Sequence, residues 1–392
     1  MTCARLFPLM FRIGITLGVI GIAVALASLS FDPDSFLRGW LFGFEFWIGM
    51  SLGSLAILLF HYAMGGAWGV ATRRIFEAGA MTMPLMAFAF LPILTRLPAV
   101  YIWARPEILA ADPVLLHKSN YLNPAFFSLR AAGYLALWSV LAWLFFRGSS
   151  AQDRTASPRP TQQLVALSGP GIVLLILSGS FAWMDWLMSL EPHWYSSIYP
   201  LMVMSGQAAS SFAFVTVIAA LIADDPAAAP ALNAQRFHDL GSLLFTFVFF
   251  WAYLNFAQLI VIWSGNAEIE IAWYLSRLEG GWTIVAAILF AIAFVVPFFL
   301  LLFRARKRDP RRLARVAVLV FVSQILNAYW LQAPAFQLHG MEFHVAYIAA
   351  FCGIGGLWLA QFAWLIQRRP ILPVRAPEFP NVLAPITLAE GQ

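Results

Sequence analysis

The chain has 392 residues, of which 61% are hydrophobic and only 11% charged, with a net charge of +5 and a mean hydropathy of +0.78. Soluble domains carry about 25% charged residues, so this chain lacks the polar surface to coat a water-facing body, and most of its exterior must meet lipid. The positive balance does not point to nucleic acid, because the basic residues sit in short loops between apolar runs, where they set membrane orientation.

A membrane-crossing helix needs about 20 mostly apolar residues. Ten stretches supply them: 11–30, 36–63, 75–95, 126–147, 163–186, 197–222, 238–263, 281–303, 313–333 and 344–366. The first follows Arg5 and Arg12 and holds Ala25-Leu26-Ala27, a pattern shared with secretory signals and their cleavage sites. Its apolar run is long enough to span, and it is read as a helix. The second carries Gly39, Gly43, Gly49 and Gly53, two i,i+4 pairs of small residues that let neighbouring helices approach. It also carries Glu45, about nine residues from one end and so roughly 13 Å deep. Pro84 and Pro92 fall in the third stretch and Pro297 in the eighth. A Pro-, Trp- and Tyr-rich loop at about 96–125 and an acidic loop at 264–280 are either docking platforms or solvated connections. The Pro-rich tail 370–392 is expected to be mostly unstructured. The stretches are too long and too evenly apolar for barrel strands. The predicted fold is therefore all-α: one integral membrane domain over 1–369, polytopic, with about ten transmembrane helices.

With the N-terminus in the cytoplasm, 18 of the 24 Lys and Arg lie on that side, including Arg73, Arg74, Arg368, Arg369 and the seven charges between Arg304 and Arg315. Asp32, Glu107, Asp112, Asp185, Glu191, Glu268, Glu270 and Glu342 gather opposite. The positive-inside rule then predicts that both termini are cytoplasmic.

Ionisable groups at bilayer depth are expensive, so each is a candidate for function. Glu45 is the clearest proton carrier; its bland alternative is a neutral carboxyl bonded to a facing side chain. His61, Glu77, His238 and Asp239 lie at helix ends on the basic side. They could form the mouth of an inner half-channel, or snorkel to water. Gln207, Tyr253, Asn255, Gln258, Gln324 and Asn327 are deeper, and can order a water wire or join helices. The histidines fall at helix ends or in loops, which argues against b-type haem. Cys3 and Cys352 form no C-x-x-C pair for a metal, iron–sulfur cluster or c-type haem. No catalytic constellation, metal site or phosphate-binding loop is found.

Three strings carry a resemblance: His61-Tyr62-Ala63-Met64-Gly65-Gly66-Ala67-Trp68-Gly69 with Arg73-Arg74 and Glu77; Leu116-His117-Lys118-Ser119-Asn120-Tyr121-Leu122-Asn123; and Asp185-Trp186-Leu187-Met188-Ser189-Leu190-Glu191-Pro192-His193-Trp194-Tyr195. Together with length and helix count, they resemble the F subunits of Alternative Complex III. Those subunits are membrane components of bacterial quinol:cytochrome c (or other acceptor) oxidoreductases, within the NrfD-like polysulfide-reductase anchor superfamily. The resemblance implies two four-helix bundles, helices 2–5 (36–186) and 6–9 (197–333), flanked by helices 1 and 10. It implies a place in the inner membrane beside an NrfD-like paralogous subunit, lipids and the quinone pool, with haem c and iron–sulfur subunits on the outer face. It further implies a supporting role in assembly and proton translocation, with no cofactor held by this chain and no activity of its own. Were quinol or menaquinol to touch this subunit, Asp185, Glu191, His193 and Trp194 are the expected contacts, since a His–carboxylate pair can accept quinol protons. The competing readings are a free-standing secondary transporter, which would show matched interrupted helices in its two halves, and a purely structural anchor.

Overall fold

The computed structural model describes residues 2–337, 340–342 and 344–380. Ten helices are long and apolar enough to cross a membrane: α1 Cys3–Ser28, α2 Pro33–Met64, α3 Ala67–Thr95, α4 Pro124–Gln152, α5 Arg159–Leu190, α6 Tyr199–Ile222, α7 Ala234–Gly265, α8 Trp282–Leu302, α9 Pro310–Ala335 and α10 Val345–Gln367. Each answers one expected span, and no strand occurs among the described residues. The chain is an all-α polytopic membrane protein.

The helices outrun the apolar stretches because their first turns are capped from outside. Asp32, Asn123, Asn233 and Asp309 each accept a backbone N–H of the turn that follows. Three of these caps precede a proline at the first helical position, where its missing N–H costs nothing.

Helices α2–α5 close one four-helix bundle and α6–α9 a second; α2 and α6 join them, α10 lies along α2, and α1 lies along α10. Helix α2 is the hub, with 94% of its apolar window buried against 28% for α8. Its glycines divide the work. A Cβ on Gly39 or Gly43 would stand 2.8–3.0 Å from α10 backbone, while one on Gly49 or Gly53 would meet Gln207 and Ser211 of α6 within 2.4–2.9 Å.

The closest approach is between α1 and α10, where Gly14, Gly18 and Gly21 face Gly353, Gly356 and Ala360. A Cβ on Gly356 would stand 2.2 Å from Gly18 N. Backbone contact of this kind holds helices together where apolar burial in lipid offers little drive. Gly356→Leu is expected to unseat α1 and cost on the order of 3 kcal/mol, the upper range for overpacking; an unchanged thermal midpoint in detergent would show that the helices part freely. The Ala25-Leu26-Ala27 sequence lies inside α1, with Ala25 wholly buried.

Asp225, in the α6–α7 connection, ties down the start of α1 by accepting from Cys3 N (2.6 Å) and Ala227 N (2.8 Å). Those amides hold its carboxyl below the ordinary 3.8. A carboxyl depressed in the folded state stabilises fully above 3.8, and the contribution is lost as pH falls through the lowered value. Asp225→Ala is therefore expected to speed pepsin cleavage near the N-terminus. The ratio of variant to wild-type rates should fall towards one as the wild-type carboxyl protonates.

Two expectations about loops change. The 96–123 segment is folded rather than merely solvated: Tyr101 donates to Trp186 O (3.1 Å), Trp103 to Ser189 Oγ (3.1 Å), and both rings are buried. The tail does not leave the protein at 370. Leu372 and Ala376 are buried, Gln152 donates to Arg375 O (3.1 Å) and Arg73 to Glu378 (3.4 Å). Apolar and charged residues between the prolines supply that docking. The rest of the tail, 381–392, lies outside the described residues, as does His339.

Candidate functional site

Glu45 sits on the hub helix where the two bundles meet, 3% exposed. It lines a cavity with Gln207 and Ser210 of α6 and Gln324 and Asn327 of α9, whose free volume of about 10 Å³ suits a single water. Asn327 donates to Gln324 Oε1 (3.2 Å). Glu45 Oε2, both amide atoms of Gln207 and Asn327 Oδ1 have no protein partner among the described residues. Buried polar atoms are normally satisfied, so four orphans around one small space leave room for a partner that the protein itself does not supply. Gly206 keeps it open, since a Cβ there would stand 2.7 Å from Gln324 Oε1 and 3.0 Å from Asn327 Nδ2.

Further buried hydroxyls lie on α2, α3 and α6. Ser51, Ser54, Ser210, Ser211 and Thr82 are all buried. Ser51 bonds Thr82 (2.6 Å), and Ser54 and Ser211 both donate to Met50 O (2.7 and 2.9 Å).

At the basic end the candidates belong to an ionic knot. Glu77 Oε2 accepts from Arg74 (2.9 Å) and Arg369 (2.8 Å). Arg74 also holds Ser149 (2.7 Å) and Asp153, and Arg369 reaches Asp153 (3.5 Å). Helices α3, α4 and α10 are thereby tied together. His61 accepts from Arg73 at Nε2 (3.2 Å) and packs under Gly69, where a Cβ would collide with the imidazole at 2.1 Å. The string His61–Gly69 is thus a reversal: Gly65 and Gly66, at φ of +75° and +108°, turn α2 into α3, and Gly69 clears the ring.

His238 and Asp239 make a separate group on α7, where Asp239 accepts from Arg236 (3.1 Å) and Gln235 (2.9 Å). Gln258 is buried and accepts from Ser196 (2.7 Å); Asn255 donates to Trp251 O (2.8 Å) within its own helix. Tyr253 is 58% exposed on the outer face of α7, so the structure leaves it out of the interior.

The four expected quinone contacts do not converge on one space. Asp185 is fully buried and accepts from Arg130 through Nε (2.8 Å) and Nη2 (2.9 Å), and from Tyr134 (3.1 Å). Glu191 pairs with the buried Arg277 (2.9 and 3.3 Å). His193 meets Asp112 at 2.6 Å in an exposed contact, and Trp194 stacks on Trp273 at 5.0 Å while donating to Glu270 O. Desolvation opposes ionisation of Asp112, but the amides of Leu115 and Val114 and the His193 ring outweigh it and hold the carboxyl below its usual value. Burial, then the Asp185 charge, pushes Tyr121 up to about 12.

Arg130 and Arg277 are the charges that sequence reasoning missed. Arg130 had a signal, because it falls inside the apolar stretch 126–147, where any charge is a candidate. Arg277 lies in a loop and had none.

Fold and site define a ten-helix membrane protein whose least satisfied buried carboxyl lies between two bundles. The chain matches no protein-family model and no curated protein.

Proposed function

We propose that this chain is an integral subunit of a bacterial inner-membrane quinol:electron-acceptor oxidoreductase of the Alternative Complex III type, with both termini cytoplasmic, in which Glu45 carries protons between the bundles. One observation carries the proton reading: Glu45 has an unsatisfied carboxylate oxygen and faces the amides of Gln207, Gln324 and Asn327, with no cation among the described residues lining its cavity. Among the described residues lining that cavity, Glu45 is the only one with a titratable side chain. The neutral amides of Gln207, Gln324 and Asn327 can orient a water against it. The respiratory reading rests on the three strings and the helix count. Haem c and iron–sulfur clusters are assigned to partner subunits, as the resemblance implies.

The anchor reading is favoured by Asp185, Glu191 and Glu77 being held by arginines. The transporter reading gains nothing from the interruptions. Helix α3 breaks at Met81-Thr82 and Phe90, and α8 has a π-turn at Ala291–Val295, which are not corresponding helices of the two halves.

Affinity purification in mild detergent, with mass spectrometry and a visible spectrum, tests the assignment. Co-purifying haem c and iron–sulfur proteins with a reducible c-type band are expected. A colourless protein isolated alone would overturn it.

A further inference from the structure

The connection between α8 and α9 carries seven cations and one acid, Asp309, within residues 304–315. The positive-inside rule asks for an excess of positive charge at this end of the spans, not for its concentration in one turn. The turn is built rather than loose. Arg304–Arg308 forms a short helix, and the Lys307 stem lies on α7, where a Cβ on Gly241 would stand 2.7 Å from Lys307 Cγ. Asp309 then caps α9, accepting from the amides of Arg311 (2.9 Å) and Arg312 (3.1 Å), and pairs with the Arg312 guanidinium at 3.2 Å.

The one acid of the turn is thereby engaged. Arg304, Arg306, Arg308, Arg311 and Arg315 are exposed and have no acidic partner among the described residues. Elsewhere at the basic end the chain supplies its own acids: Glu77 holds Arg74 and Arg369, Glu378 meets Arg73, and Asp239 meets Arg236.

The surface beneath the unpaired charges is apolar and open. On α9, Arg311, Arg315, Val318 and Val322 recur at helical spacing and share one face, opposite the buried Leu313, Val316, Ala317 and Val320. Val318 and Val322 are each 48% exposed, so this face runs from two guanidinium groups directly onto an apolar wall. The end of α8 repeats the pattern, with Phe299, Leu302 and Phe303 more than half exposed. An acidic loop of a water-soluble partner would meet the charges and leave these walls bare. An anion that carries hydrocarbon below its charge meets both.

We propose that the α8–α9 turn binds an anionic phospholipid, its phosphate held by Arg311 and Arg315 with Arg304 and Arg308 adding to the positive field, and its acyl chains lying on the α9 face of Val318 and Val322. A guanidinium group matches phosphate through two parallel N–H···O bonds, and clusters of about four to eight cations beside a membrane helix draw acidic headgroups. The site requires no quinone, proton or electron-transfer role, and it holds for either orientation of the chain.

The test titrates the purified protein, with whatever subunits it retains in mild detergent, with phosphatidylglycerol and phosphatidylcholine of matched chains. Native mass spectrometry counts the bound lipid. Wild type is expected to take up phosphatidylglycerol in preference. Arg311→Gln with Arg315→Gln should weaken that uptake by on the order of 30-fold, the effect of two cations lost near a headgroup. Phosphatidylcholine uptake, subunit composition and thermal midpoint should not change. Arg304→Gln with Arg308→Gln should weaken phosphatidylglycerol uptake less, and decides alone if the first pair does not fold. Arg154→Gln with Arg159→Gln removes two exposed cations without acidic partners from the α4–α5 connection, and should leave uptake as in wild type. Equal uptake of the two lipids by wild type, undiminished phosphatidylglycerol uptake without Arg311 and Arg315, an equal loss in the Arg154 and Arg159 pair, or the departure of a retained subunit in place of lipid would each overturn the proposal.

Discussion

Replacing Glu77 with alanine is expected to destabilise the protein by about 3 to 5 kcal/mol, the range for removing one partner of a buried ion pair. Glu77 is 1% exposed and sits between Arg74 and Arg369, whose side chains are 2% and 11% exposed. Removing the carboxylate strands two guanidinium groups, with Asp153, itself 22% exposed, as the remaining acid. Most of the penalty is the uncompensated charge rather than the lost hydrogen bonds. Glu77→Gln keeps acceptor and volume but not charge, and should fall between. Arg369→Met leaves Glu77 paired with Arg74 and should cost less than Glu77→Ala. The double change Glu77→Ala with Arg74→Met should recover part of the loss, because it removes one of the two stranded charges and leaves Asp153 to Arg369. Thermal unfolding in detergent reads all four, and burial predicts little dependence on salt. A cost below about 1 kcal/mol for Glu77→Ala would mean that Asp153 and water already satisfy the arginines.

What was legible in the sequence follows from what lipid enforces. A span must be long and apolar because every backbone group needs an internal partner there, so all ten crossings could be read from hydropathy. The glycine pairs of α2 were legible as contact faces, though not that one pair serves α10 and the other α6. The equivalent glycines of α1 and α10 went unremarked because the two helices are far apart in sequence. Polar residues were legible as polar but not as partners. Glu45, Gln207, Gln324 and Asn327 come from three helices and meet only through the packing of the bundles. Tyr253 shares α7 with Gln258 but points the other way, a matter of helical phase that an evenly apolar span does not reveal. Asp185 and Glu191 looked free because Arg130 and Arg277, 55 and 86 residues away, were not yet beside them.

Glu45→Gln is the substitution expected to separate chemistry from scaffold most sharply. Glutamine matches the carboxyl in volume and keeps one acceptor oxygen. Since Glu45 Oε2 has no protein partner to lose among the described residues, stability should change by less than about 1.5 kcal/mol, as for other volume-conserving swaps. An amide cannot bind and release a proton in the physiological range, so a route through this position should slow by on the order of 10²-fold, the lower range for losing a positioned proton-transfer group. In the intact complex in vesicles, quinol-driven proton release should collapse while the thermal midpoint and subunit composition hold. Glu45→Asp, shorter by a methylene but still ionisable, should restore part of the release. Asn327→Leu should impair release while leaving the carboxyl in place, since it removes an amide facing Glu45 and not the proton carrier. Unchanged proton release and turnover in Glu45→Gln would overturn the relay and leave the chain as an anchor. In that case a fixed water, for which the cavity of about 10 Å³ has room, would donate to two of the orphaned oxygens of Glu45, Gln207 and Asn327.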